Sequence, residues 1–108
     1  MALDVHVLDS ETARVVNWPK CQFEQTIHNA IFLGGVLEGD QYPQLWRMQD
    51  YYADARYSGA DLRGLLEELQ EVLPKFGCDA EVHQVLRRFL EVCREAVSRD
   101  QVVLCLCD

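Results

Sequence analysis

The last eight residues, QVVLCLCD, constrain the fold more than any other stretch. Val102 to Cys107 are six consecutive apolar residues with no polar alternation. A strand with one wet face alternates apolar and polar side chains, whereas a strand apolar on both faces belongs inside a sheet, covered on each side. The C-terminus therefore reads as an inner strand, threaded into a sheet beside the N-terminal strand. That first strand is marked by Leu3, Val5 and Val7 alternating with Asp4 and His6.

Between these ends the periodicity switches several times. Asp9, Ser10 and Glu11 can turn the chain, and Thr12 to Val16 reads as a second strand that completes a hairpin ended by Trp18-Pro19. Phe23, Ile27, Ala30 and Ile31 fall on one helical face, which predicts a helix over 22–32, stopped by Gly34-Gly35. A loop follows, and Pro43 suits the first turn of a short helix over QLWRMQD, where its missing N–H is not needed. In YYADARYS, Tyr51, Ala53, Ala55 and Tyr57 alternate with Tyr52, Asp54, Arg56 and Ser58, the pattern of a strand with one core face and one wet face.

Ser58 is placed to cap the next helix, with Asp61 to meet its free N–H groups. Leu62, Leu65, Leu66, Leu69 and Leu73 form its buried stripe, leaving Arg63, Glu67, Glu68 and Glu71 to water. Pro74 and Gly77 close it. Asp79 can cap a last helix, whose apolar face carries Val82, Leu86, Phe89, Leu90, Cys93 and Val97, with Arg87 and Glu91 at neighbour spacing. The short connection predicts that these two helices form a hairpin. The expected fold is therefore one α+β domain over 1–108. It has about four strands in an antiparallel or mixed sheet, a helical hairpin and further helices largely on one side, and an internal C-terminal strand.

Composition narrows the function. With 49% apolar residues in 108, the chain can build one core without metal or disulfide staples. Its net charge of −8 disfavours nucleic acid and anionic membranes, which need a basic face. Between Glu38 and Asp79 there are nine acidic residues against four basic ones, a balance that keeps a small protein soluble and can also steer a basic protein partner. No apolar run is long enough for a transmembrane helix. MALDVHVLD lacks the basic region of a secretory signal, and Met1 reads as the native start. Five scattered cysteines then fit reduced thiols in a cytoplasm, most of them small apolar core groups.

The chemistry-bearing residues do not assemble into a reaction motif. Cys105 and Cys107 form a C-x-C pair on one side of the last strand, but Cys78 and Cys93 supply no second short pair, so no metal is expected. Cys21 and His28, two helical turns apart, would be separated by about 10 Å on a helix, too far for proton transfer. His28 reads more simply as a surface histidine one turn after Glu24. Gly34-Gly35 lacks the context of a phosphate loop. No cofactor is expected. The constellation best suited to function is aromatic and charged: Tyr42, Trp46, Asp50, Tyr52, Asp54 and Arg56. Tyrosine, tryptophan and arginine carry interface energy, although Trp46 and Tyr51 equally suit a core.

The pattern D-Y-Y-x-D-x-x-Y-x4-L-x-x-L-x-x-E-L, from Asp50 to Leu69, resembles small stand-alone cytoplasmic bacterial proteins, some uncharacterised and some immunity proteins of polymorphic toxin systems. The resemblance spans about a fifth of the chain and implies a binding protein that neutralises a toxin domain by contact. It carries over no functional residues. The expectation is a non-catalytic protein-binding module with a protein partner, such as a basic toxin domain. The alternatives are a small regulatory or adaptor subunit, and a small enzyme using a cysteine or histidine.

Overall fold

The structure is a computed structural model that describes residues 2–9, 21–51 and 53–107. Four strands form one sheet: β1 (Ala2–Leu8), β2 (Cys21–Glu24), β3 (Ala55–Tyr57) and β4 (Val102–Cys107). The helices are α1 (Gln25–Phe32), α2 (Pro43–Trp46), α3 (Gly59–Val72) and α4 (Ala80–Ser98), with a 3-10 turn, Leu73–Phe76, between the last two. The strand order is β2-β1-β4-β3 and every pairing is antiparallel.

The C-terminal strand lies inside this order, as expected, but its second face is not fully covered by the described residues, since Leu104 and Leu106 are only half-buried there. Register places Cys21, Val5, Cys105 and Ala55 in one row across the sheet, and Val7, Val103 and Tyr57 in the next. Side chains of both rows are buried on the face that the helices cover. Phe23 meets Phe89 of α4 edge to face, ring centroids 5.2 Å apart, so α4 crosses the sheet near its β2 side. The opposite face is mixed. Gln22 donates to Asp4 at 2.9 Å, and Leu104 and Leu106 are half-buried beside them. Leu8 and Val102 face each other at the end of the same side and are both buried.

The helical hairpin follows its leucine stripe. Leu62, Leu65 and Leu69 of α3 and Leu86, Phe89 and Leu90 of α4 are all buried. Asp79 caps α4, accepting from the Val82 N–H at 3.2 Å. Arg87 and Glu91 pair at 3.8 Å on the solvent side, where such pairs contribute little. Ser58 stands at the N-cap of α3, but its hydroxyl makes no capping bond, and Asp61 turns instead toward Arg47.

Three boundaries differ from the sequence expectation, the first being the short helix expected over QLWRMQD, which spans only Pro43–Trp46. Residues 21 to 24 are not the start of a helix; they are the edge strand β2, paired with β1. Phe23 and Ile27 fit helical spacing, yet Cys21 to Glu24 also alternate buried and exposed, and the free edge of β1 selects that period. The strand expected over 51–58 shrinks to Ala55–Tyr57, because the chain turns at Asp50 to Ala53, where the Ala53 N–H donates to the Asp50 carbonyl. The strand and hairpin expected over 12–16, with Trp18-Pro19, lie outside the described residues.

Two results follow. Removing Gln101 to Asp108 deletes a strand with partners on both sides, so the truncated chain should lose its native circular dichroism and its cooperative melt. Leu69→Ala and Leu86→Ala should each cost about 2–5 kcal/mol in urea titrations, because each leaves a cavity in a closed layer. Losses below about 0.5 kcal/mol would contradict the packing.

Candidate functional site

The segment joining α1 to β3 carries most of the residues that sequence reasoning singled out, and it has little regular structure of its own. Four anchors fix it. The first is Glu68 of α3. Its carboxylate accepts from the Gln44 N–H at 3.1 Å and the Leu45 N–H at 2.9 Å. Tyr42, at the N-cap of α2, makes no side-chain cap, so Glu68 supplies from another helix the acceptor this end lacks. Sequence reading placed Glu68 among solvated carboxylates; it is half-buried, while Glu67 and Glu71 are exposed. Periodicity shows which way a side chain leaves its helix, not what lies beside it.

The second anchor is Tyr57. Its buried hydroxyl donates to the Gln44 carbonyl at 2.6 Å. Burial holds its phenol well above the ordinary tyrosine range. The third is Arg47, whose guanidinium lies 4.6 Å from the Tyr57 ring centroid, donates to the Arg56 carbonyl at 2.7 Å and meets Asp61 at 3.5 Å. The fourth is His28 of α1. Its Nε2 donates to the Met48 carbonyl at 2.6 Å, which assigns the proton to Nε2. The imidazole is only 2% exposed, packed 4.6 Å from the Phe32 ring and 5.0 Å from the Tyr51 ring. His28 is therefore not a surface histidine. Ile27, His28, Ile31 and Phe32 are the buried side of α1, and the His28–Phe32 spacing of one turn was the signal in the sequence.

The six site residues do not form one patch. Tyr42 is buried in the main core, so it offers no open anchor. Trp46 is half-buried, edge-on to Phe32 at 5.6 Å, and its indole covers Gly39 so closely that a Cβ there would lie 2.7 Å from Nε1. Asp50 and Asp54 are exposed in the turn before β3. Arg56 is exposed on the sheet face opposite the helices, opposite Leu104 in register. Tyr52 lies outside the described residues. What remains in one connection is acidic: Glu38, Asp40, Asp50 and Asp54 are exposed, and the segment's one cation, Arg47, is committed to Asp61, Arg56 and Tyr57. The two exposed large apolar side chains among the described residues, Leu33 and Val36, lie at the start of the same connection.

Cys21, Cys93 and Cys105 are buried under the sheet as free thiols. Burial pushes the Cys21 thiol up to about 12, a neighbouring Arg88 opposing weakly. Burial first, then neighbouring thiols, raises Cys93 and Cys105 as well. A thiolate is the nucleophile, so these three groups are held in their unreactive form. Cys78 is exposed, at a cleft of about 360 Å3 that Val36, Lys75 and Phe76 also line. Among the described residues, no group of three or more His, Cys, Asp or Glu is arranged to hold a metal, and no helix is long and apolar enough to cross a membrane.

Comparison with protein-family models, with curated proteins and with solved structures gives no match.

Two measurements check this geometry. Glu68→Ala removes both acceptors from α2 and should cost about 1–2 kcal/mol, the upper range for a lost cap, with Glu67→Ala within about 0.5 kcal/mol as the control. Equal effects would contradict the cap. The buried thiols predict an alkaline limb. Their native pKa values lie above the ordinary 9.0, so above that pH the unfolded chain releases protons that the native chain keeps. Stability should then be undiminished below about pH 9 and fall above it, by up to about 1.4 kcal/mol per pH unit for each thiol. Urea midpoints under reducing conditions that stay level to pH 10 would show the thiols to be accessible.

Proposed function

We propose that the chain is a non-catalytic protein-binding module, and that it meets its partner through the acidic connection between α1 and β3. In its finer form the proposal is an immunity-type protein, acting in the cytoplasm, that neutralises a basic toxin domain by direct contact. The observation that carries the reading is the exposed set Glu38, Asp40, Asp50 and Asp54 on a segment whose cation, Arg47, is turned to Asp61, Arg56 and Tyr57. Fixed carboxylates of one sign steer a cationic partner and raise its rate of encounter. Anchoring the segment before binding lowers the ordering cost of association. The net charge of −8 supports the same choice of partner.

An adaptor or regulatory subunit would use the same surface and differ only in what it binds. The enzyme alternative, built on a cysteine or histidine, has less to rest on. Three thiols are held protonated by burial, and the His28 imidazole is enclosed by two rings and a carbonyl.

Co-expression with a cationic toxin domain encoded beside its gene should restore growth of the host. The double variant Glu38→Lys, Asp40→Lys should lose that rescue and slow association at low salt by about tenfold or more, while keeping its melting temperature. Undiminished rescue by the variant would remove the connection from the interface. A rate of association independent of salt would contradict the electrostatic reading itself.

A further inference from the structure

Two large apolar side chains stand in water on one turn. Leu33 is 76% exposed and Val36 is 45% exposed, and they are the two such residues among those described. Neither is needed to hold the turn, because Phe32 before it and Leu37 after it are both buried in the core. Glycine sets how the pair is presented. A Cβ at Gly34 would lie 2.7 Å from the Ala30 carbonyl oxygen, and Gly35 takes a φ of +77°, the left-handed conformation that ends a helix. Beside the turn is the cleft of about 360 Å3, at the lower end of the sizes that hold small ligands. Gly34 and Val36 line it from the α1 side, and Lys75, Phe76, Cys78 and Asp79 from the connection between α3 and α4. The Lys75 and Asp79 charges offset each other, so the cleft has no net charge of its own.

Charge decides between occupants. Glu38 lies two residues beyond Val36 and Asp40 four, so the reach of the chain keeps their backbones within about 7 and about 14 Å of it. Both are exposed, and among the described residues neither carboxylate has an ion-pair partner. A second copy docked here about a two-fold axis would set these carboxylates against their own duplicates. An anionic membrane would meet the same repulsion. A cationic protein would be attracted.

We infer that this cleft is the apolar centre of the binding surface, and that it receives one aromatic or aliphatic side chain flanked by lysine or arginine on a cationic partner. Interfaces seat such anchors in a pocket and keep charge on the rim. Leu33, Val36 and Phe76 supply the apolar contact, and Glu38 and Asp40 supply the rim. The cationic half of this assignment rests on the binding function proposed above; the preference for an apolar side chain does not.

The test uses the whole chain, 15N-labelled, and two blocked pentapeptides of equal charge, Lys-Lys-Trp-Lys-Lys and Lys-Lys-Ser-Lys-Lys. At low salt both should shift the Glu38 and Asp40 amides. The tryptophan peptide alone should shift Val36, Phe76 and Cys78, and it should bind about tenfold or more tightly than the serine peptide. Near saturation it should also slow alkylation of Cys78 by iodoacetamide, followed by peptide mass, about twofold or more, because that exposed thiol lines the cleft. Leu33→Ser, Val36→Ser should keep its melting temperature and bind both peptides equally. Equal affinities in the unaltered chain, a tryptophan preference that survives in the variant, or tryptophan-specific shifts elsewhere would overturn the proposal. So would a concentration-dependent dimer of the free chain that the variant abolishes, which would assign the turn to a second copy. Should the variant fail to fold, Cys78 decides: protection by the tryptophan peptide alone supports the cleft, and equal or absent protection overturns it. No toxin domain enters this experiment, so its failure and the failure of growth rescue are separate results.

Discussion

The pairing of β4 with β1 on one side and β3 on the other joins both ends of the chain to its middle. β2 pairs with β1 directly, but β3 has no partner in the sheet until residues 102 to 107 are in place. Such non-local closure is entropically costly and must be offset by burial. The helical hairpin supplies that burial. α3 and α4 are local, strongly amphipathic and joined by a short turn, and their leucine stripes cover the sheet face that carries Val5, Val103, Cys105 and Tyr57. The strand chemistry fits the role. Small β-branched and thiol side chains let the helices approach the sheet closely at its centre, while Phe23 and Tyr57 fill the space near its edges.

Against this scaffold the α1–β3 connection is held by polar contacts rather than by regular structure. Each anchor couples a different neighbour: Glu68 brings in α3, Tyr57 the sheet, Arg47 the start of α3, and His28 helix α1. Satisfying the backbone groups of α2 from other elements makes a four-residue helix persist where propensity alone would not. The result is that residues 44 to 48 are held in place by their neighbours, which lowers the ordering cost that a binding segment would otherwise meet.

Much of the architecture was legible in the sequence, because burial imposes periods of 2 and 3.6 residues on strands and helices. The run Val102–Cys107 announced an inner strand, and the leucine and phenylalanine stripes of α3 and α4 announced the hairpin. Period became ambiguous where segments were short. Cys21 to Glu24 satisfy both a strand and the first turn of a helix, and only the available edge of β1 decides between them. The candidate site was harder, since its logic lies in contacts between elements. Tyr42 and Trp46 are aromatic in either environment; Tyr42 is buried in the main core, and Trp46 is half-buried against Phe32 and Gly39. Glu68 looks like any solvated glutamate until α2 is placed beside it. His28 was read as a surface histidine, although its one-turn spacing to Phe32 could have placed it on the buried side of α1.

The central claim is that this connection is a rigid platform. Backbone 15N relaxation across residues 43 to 51 at neutral pH tests it most directly. The account predicts order parameters close to those of α3 and α4, about 0.85, despite the lack of regular structure after Trp46. Values below about 0.6 through the Met48–Tyr51 turn would mean that the four anchors do not hold it, and that its carboxylates are presented by a flexible loop.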